Sequence, residues 1–236
     1  MKAAIVTGAT RGIGKAISVK LLKLGYHVVG TYLSNKRLAL DLEKEHSNLL
    51  MIQSDAGNEK GVKKVINAML KRYGTIDVIV NNAGINLFGK IEKYNSSDWD
   101  KMIDSNLKSI FLFSRYSIPH LKKSENPVII NISSRLGFQE YTEPEFVAYG
   151  AVKAGVNNFT VGLAKELEKD KIRVNAIIPT PTKTDLFDKL FNKEDEEELK
   201  KKGKLGKPEE VADLVARIIQ DKKINGEILI DKRVYL

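Results

Sequence analysis

Short β-branched runs alternate along this chain with longer segments of helical period. That alternation restricts the fold to repeated βα units packed around a parallel sheet. Strands are expected near 3–7, 27–31, 49–53, 77–80, 127–132, 172–178 and 227–230, and helices near 13–24, 36–45, 58–73, 98–121, 147–168 and 207–220. The expected class is α/β: a doubly wound parallel sheet of about seven strands with helices on both faces. At 236 residues, with no Pro/Ser/Gly-rich linker and no internal repeat, the chain 1–236 reads as a single domain. One segment departs from the alternation. Lys183–Gly203 is highly charged and follows Pro179 and Pro181 just past a strand's carboxyl end, where open α/β sheets bind ligands. A substrate lid spanning about 180–205 is expected there, against the plainer reading of a solvated helical hairpin.

Composition removes several chemistries. The absence of cysteine excludes disulfides, Cys-ligated zinc, iron–sulfur clusters and thiol nucleophiles, and suits a reducing cytoplasm. No metal site is expected. The opening apolar run is too short for a signal peptide, and no run of about eighteen apolar residues follows, so neither secretion nor membrane insertion is expected. A net charge of +9 raises nucleic-acid binding, but the lysines alternate with acids and form no basic block. The charge reads as a Lys-rich surface that favours anionic small ligands or an acidic carrier protein.

At the first strand-to-helix turn stands Gly8-Ala9-Thr10-Arg11-Gly12-Ile13-Gly14. Glycines there let the backbone bend and approach a phosphate, while the helix start supplies free N–H donors and partial positive charge. The spacing G-x-x-x-G-x-G is neither the common dinucleotide fingerprint, since Ile17 holds the third glycine's place, nor a P-loop, which needs glycine at Ala9 and Ser/Thr at Ala16. Tight packing of the turn alone also asks for these glycines. The second strand ends in Ser34-Asn35-Lys36-Arg37, with no acid before Asp41 to hold a ribose 2′-hydroxyl. Arg11 with Lys36 or Arg37 suits a 2′-phosphate, so NADP(H) is expected over NAD(H).

Tyr149 and Lys153 are spaced i, i+4 and share one face of an expected helix. A nearby ammonium favours the phenolate and makes tyrosine a usable acid and base. Such a pair also arises by chance in many helices. Ser133-Ser134 follows a strand at the same sheet edge as the glycine loop, where a serine can donate to a substrate carbonyl. It lacks a Gly-x-Ser-x-Gly elbow, and His27, His46 and His120 form no evident triad, which argues against a hydrolase. Asn81-Asn82-Ala83-Gly84 closes another strand, with Asn81 expected to stabilise a turn. Leu87, Phe88, Leu136, Phe138, Leu186 and Phe187 are candidates for a substrate cavity, or for plain core.

The glycine loop, Asn-Asn-Ala-Gly, Ser-Ser and Tyr-x-x-x-Lys, in this order, resemble the short-chain dehydrogenase/reductase family over nearly the whole length, and most of all its 3-oxoacyl-acyl-carrier-protein reductases. The resemblance implies a Rossmann-type fold and a homotetramer built on the helices near 98–121 and 147–168. Thr7, Gly8, Arg11, Gly12, Ile13 and Gly14 match the cofactor loop, with Thr10 inside it, and Asp55, beside Ala56, matches a residue that holds the adenine amino group. Asn82, Ala83 and Gly84 match a central cofactor motif, and Asn106, Ser134, Tyr149 and Lys153 match a catalytic tetrad. The implied reaction is reduction of a small carbonyl compound or an acyl thioester, the latter presented by an acyl carrier protein, by NADPH. In it Ser134 binds the carbonyl, Tyr149 supplies the proton, Lys153 binds the ribose and Asn106 anchors a relay water.

Three departures stand out. Pro179-Thr180 replaces the family's usual Pro-Gly, although Thr184 still matches a carboxamide contact. The stretch between Ser134 and Tyr149 is long and carries Glu140, Glu143 and Glu145, unsuited to an anionic carrier. The end reads Asp231-Lys232-Arg233 where glycines commonly follow the aspartate. A competing reading, an NADP-binding regulatory or scaffold protein without turnover, is opposed by the intact tetrad.

Overall fold

The structure is a computed structural model that describes residues 1–185 and 187–230. Seven strands form it: β1 (Ala3–Val6), β2 (His27–Tyr32), β3 (Leu49–Gln53), β4 (Val78–Asn81), β5 (Val128–Ile132), β6 (Arg173–Ile178) and β7 (Ile228–Ile230). They pair in parallel in the order β3-β2-β1-β4-β5-β6-β7, so the winding reverses between β1 and β4. Strands buried on both faces read as continuous apolar runs, and β1 shows why: Ala4 and Val6 join one core while Ala3 and Ile5 join the other. The first core takes α1 (Gly12–Lys23), α2 (Lys36–Glu45) and α9 (Pro208–Gln220) through Ile17, Leu21, Leu42 and Val215. The second takes α3 (Glu59–Tyr73), α5 (Ser109–Leu121) and α6 (Val147–Glu166) through Val65, Met69, Phe113 and Leu163. The doubly wound Rossmann-type expectation therefore holds. Among the described residues no helix is long and apolar enough to cross a membrane.

Two segments differ from the periodicity reading. The single helix expected over 98–121 divides into α4 (Ser96–Ile103), a π-turn over Asp104–Lys108, and α5. Asn106 supplies a cause: its side-chain Nδ2 donates to Met102 O at 3.0 Å, taking a carbonyl that belongs to the i−4 ladder. The charged stretch after β6 forms two short helices, α7 (Phe187–Leu190) and α8 (Lys193–Lys201). Its ends meet, since Lys183 N–H donates to Gly206 O at 3.2 Å and Gly206 N–H to Pro181 O at 2.8 Å. Leu186 and the Asp231–Arg233 departure lie outside the described residues.

Candidate active site

The glycine loop is fixed by its neighbours on both sides. Thr7 Oγ1 accepts the backbone N–H groups of Asn82 and Ala83, each at 2.9 Å, and Asn82 Nδ2 returns bonds to Thr7 O and Gly8 O at 2.9 and 3.1 Å. These tie the ends of β1 and β4 together across the reversal point, where ligands enter sheets of this kind. On the other side Gly8 N–H donates to Thr31 Oγ1 at 3.3 Å and Ala9 N–H to Thr31 O at 2.9 Å. Gly14 is required by close approach, because a Cβ there would lie 2.1 Å from Gly8 O. Arg11 precedes α1 without a side-chain cap, and the first turn carries no acid, so the leading N–H groups stay available to an anion. A loop this narrow, open at a helix start, fits a pyrophosphate.

Around it, Thr10 and Ile13 are partly buried, and Arg11 is exposed and ion-paired with Asp185 at 2.8 Å. Ser34, Asn35, Lys36 and Arg37 are all exposed past β2. Asn35 Oδ1 accepts Leu38 N–H at 3.3 Å and caps α2, and Arg37 Nε is 4.0 Å from Asp41. Asp55 Oδ1 accepts Gly57 N–H at 2.9 Å just past β3, with Ala56 buried beside it. Pro179 follows β6 directly and is partly buried. Thr184 Oγ1 accepts Phe187 N–H at 3.3 Å, and its methyl would lie 3.0 Å from a Cβ on Gly12.

The second group gathers at the ends of β4 and β5. Lys153, 5% exposed, donates from Nζ to Ile132 O at 2.9 Å and lies 5.6 Å from the centroid of the Tyr149 ring. Ser134 follows β5, accepts Leu136 N–H at 3.3 Å, and stands near enough to Tyr149 to favour its phenolate. The Ser134 loop lies directly on α6, since a Cβ on Gly137 would come within 2.7 Å of the Lys153 carbonyl carbon. Asn106 Nδ2 also donates to Ile85 O at 2.9 Å, and its Oδ1 abuts the backbone of Gly84. All four tetrad candidates thus share one edge of the sheet with the glycine loop.

Burial sets their proton affinities, against the expectation of a phenol lowered by its lysine. Desolvation pushes the Tyr149 phenol up to about 12, opposed by the Ser134 hydrogen bond, and takes the Lys153 ammonium down to about 8. Both charged forms lose solvation here.

Other expectations are corrected by position. Asn81 is no turn residue: it is buried in β4, its Nδ2 donates to Asn131 Oδ1 at 2.8 Å, and its own Oδ1 has no partner among the described residues. Phe187 is core, 3% exposed and stacked on Phe191 at 4.5 Å. Phe88 stacks on Phe146 at 5.8 Å, and with Leu87, Asn86, Tyr94 and Asp98 it lines an open hollow of about 320 Å³. One supporting pair escaped the sequence reading. Ser133 Oγ donates to Asn157 Oδ1 at 2.5 Å, and Asn157 Nδ2 reaches Gly137 O at 3.4 Å, pinning the Ser134 loop to α6. The i+4 spacing of Lys153 and Asn157, a buried polar residue on the reactive face, was the signal available.

A family model described as short chain dehydrogenase matches residues 2–195. The chain is 34% identical to a 3-oxoacyl-[acyl-carrier-protein] reductase of Thermotoga maritima, over 97% of this chain and 95% of that one. A short chain dehydrogenase from Burkholderia cenocepacia, solved in complex with NADP, superposes with a TM-score of 0.88 at 29% identity, covering 97% of this chain and 95% of the other. The structure of ElxO with NADP bound matches with a TM-score of 0.87 at 30% identity, over 97% and 96% of the two chains.

Proposed function

The chain belongs to the short-chain dehydrogenase family, and from that premise we propose that it is an NADPH-dependent carbonyl reductase, with a 3-oxoacyl thioester among its candidate substrates. The observation that carries this reading is Tyr149 with Lys153 beside its ring on α6 and Ser134 near enough to favour its phenolate, on the same sheet edge as the narrow glycine loop. Arg11, Lys36 and Arg37, with no acid before Asp41, support NADPH over NADH, as do the NADP-bound neighbours.

Bound in the cradle, the cofactor supplies a hydride to the carbonyl carbon. The protein's part is to orient the carbonyl and stabilise the charge that develops on its oxygen. Ser134 Oγ–H donates to that oxygen and Tyr149 protonates it. A phenol pushed up to about 12 is fully protonated at neutral pH, the state a general acid needs. Lys153, at about 8, is mostly charged there and stabilises the phenolate left behind. Asn106, fixed by the Ile85 and Met102 carbonyls, is the residue assigned to anchor a relay water to Lys153. The segment 180–205 serves as the substrate lid, and the exposed Trp99, Phe111 and Val147 on α4, α5 and α6 support a homotetramer.

The test is Tyr149→Phe, assayed by NADPH oxidation against acetoacetyl thioesters and a panel of ketones. Turnover is expected to fall by at least about 10²-fold, with NADPH affinity unchanged. Reduction at the wild-type rate overturns the mechanism.

A further inference from the structure

The ion pair between Arg11 and Asp185 joins the glycine loop to the segment after β6 across 174 positions of sequence. Arg11 stands in a loop locked through Thr31 to the end of β2, the strand whose continuation carries Lys36 and Arg37. Asp185 is held from the other side: Thr184 rests against Gly12, and the Pro181–Gly206 and Lys183–Gly206 hydrogen bonds anchor the base of the segment. Lys183, the cation nearest in sequence, is engaged by Asp188 at 2.5 Å and Glu196 at 2.6 Å. Both side chains of the Arg11–Asp185 pair are more than half exposed, 57% and 59%, so an incoming ligand can reach them.

Resting on the NADPH reading above, we infer that Asp185 is a cofactor-discriminating residue, whose carboxylate competes with the ribose 2′-phosphate for Arg11. A guanidinium presents one planar fork suited to either anion. If the phosphate takes the fork, Asp185 is displaced and the 183–205 segment loses its tie to the glycine loop. If the two anions share it, carboxylate and phosphate repel at close range. Both routes set Asp185 against NADPH and leave NADH, which has no 2′-phosphate, indifferent. The pair thereby links the identity of the bound cofactor to the freedom of the segment that covers the site.

Equilibrium binding of NADPH and NADH, followed by protein fluorescence, tests this on wild type, Asp185→Asn, Arg11→Met and the double variant. Asp185→Asn is expected to bind NADPH about two- to fivefold more tightly, the range an exposed ion pair commands, with NADH affinity unchanged. In the Arg11→Met background the same substitution is expected to change nothing, since its opponent is gone. Limited proteolysis within 183–205 should quicken with saturating NADPH and not with NADH. Equal shifts for both cofactors, or an Asp185→Asn effect that survives Arg11→Met, overturn the inference while leaving the NADPH reading intact. Tighter wild-type binding of NADH than of NADPH overturns that reading, and this inference with it.

Discussion

Among single residues, Gly14 and Lys153 carry the sharpest consequences. A methyl group at Gly14 meets the Gly8 carbonyl at 2.1 Å and the Asn82 amide at 2.6 Å, itself held by hydrogen bonds to Thr7 O and Gly8 O, which leaves little room to yield. Gly14→Ala is expected to cost about 1–3 kcal/mol of stability and to widen the cradle, with a loss of cofactor affinity that fluorescence titration reads directly. Lys153 is protonated in the unfolded chain up to about pH 10.5 but in the folded one only up to about 8. Between those values the unfolded state binds more protons, so this group makes stability rise with pH across that window. Urea denaturation of wild type against Lys153→Met should show the variant's relative stability falling from pH 8 to pH 10.5. That Tyr149, Lys153, Ser134 and Asn106 gather at one edge of the sheet was legible, from the order of the motifs along the chain and the resemblance they carry. Their proton affinities were not, because they depend on burial, which only the packed α6 and β5 reveal.

Strands and helices were nearly all legible, since a strand covered on both faces must be apolar throughout and the helices between must be amphipathic. The division between α4 and α5 was hidden. No glycine or proline marks it, and the break comes from a side-chain bond, Asn106 to Met102, that composition does not announce. The pinning of the Ser134 loop to α6 was hidden in the same way, and it makes a prediction about how two elements are kept together. Asn157→Ala leaves Ser133 Oγ with only the Lys153 carbonyl at 3.5 Å and takes the Asn157 donor from Gly137 O. The expected result is a loss of about 1–3 kcal/mol in denaturant stability. It should bring a lower kcat with NADPH affinity unchanged, because the loop at risk carries Ser134 and not the cradle.

The whole molecule is closed on its last strands by one buried cation. Arg173 Nη1 donates to the carbonyls of Ile218, Asp221 and Ile224 at 2.6, 3.1 and 3.0 Å, and Nη2 to Ile219 O at 3.3 Å and Asn126 Oδ1 at 3.2 Å. The end of α9 and the approach to β7 are thus tied to β6, and burial lowers the guanidinium's proton affinity, opposed by the charge of Asp221. Arg173→Met strands these carbonyls and is expected to lower global stability by at least about 3 kcal/mol, read as a fall in the urea midpoint. An arginine opening an apolar strand was visible in the sequence, but its partners, 45 to 51 positions away, belong to the fold. Net charge gave no such guidance, because most of the +9 lies on solvated surface. The hydrogen bonds that join Pro181 and Lys183 to Gly206 have a different kind of consequence. The chain leaves the body of the fold after β6 and returns to the same point ahead of α9, so the exposed stretch around α8 is a cassette whose length can drift at only a slowly growing entropic cost, with the register of β6 and β7 untouched.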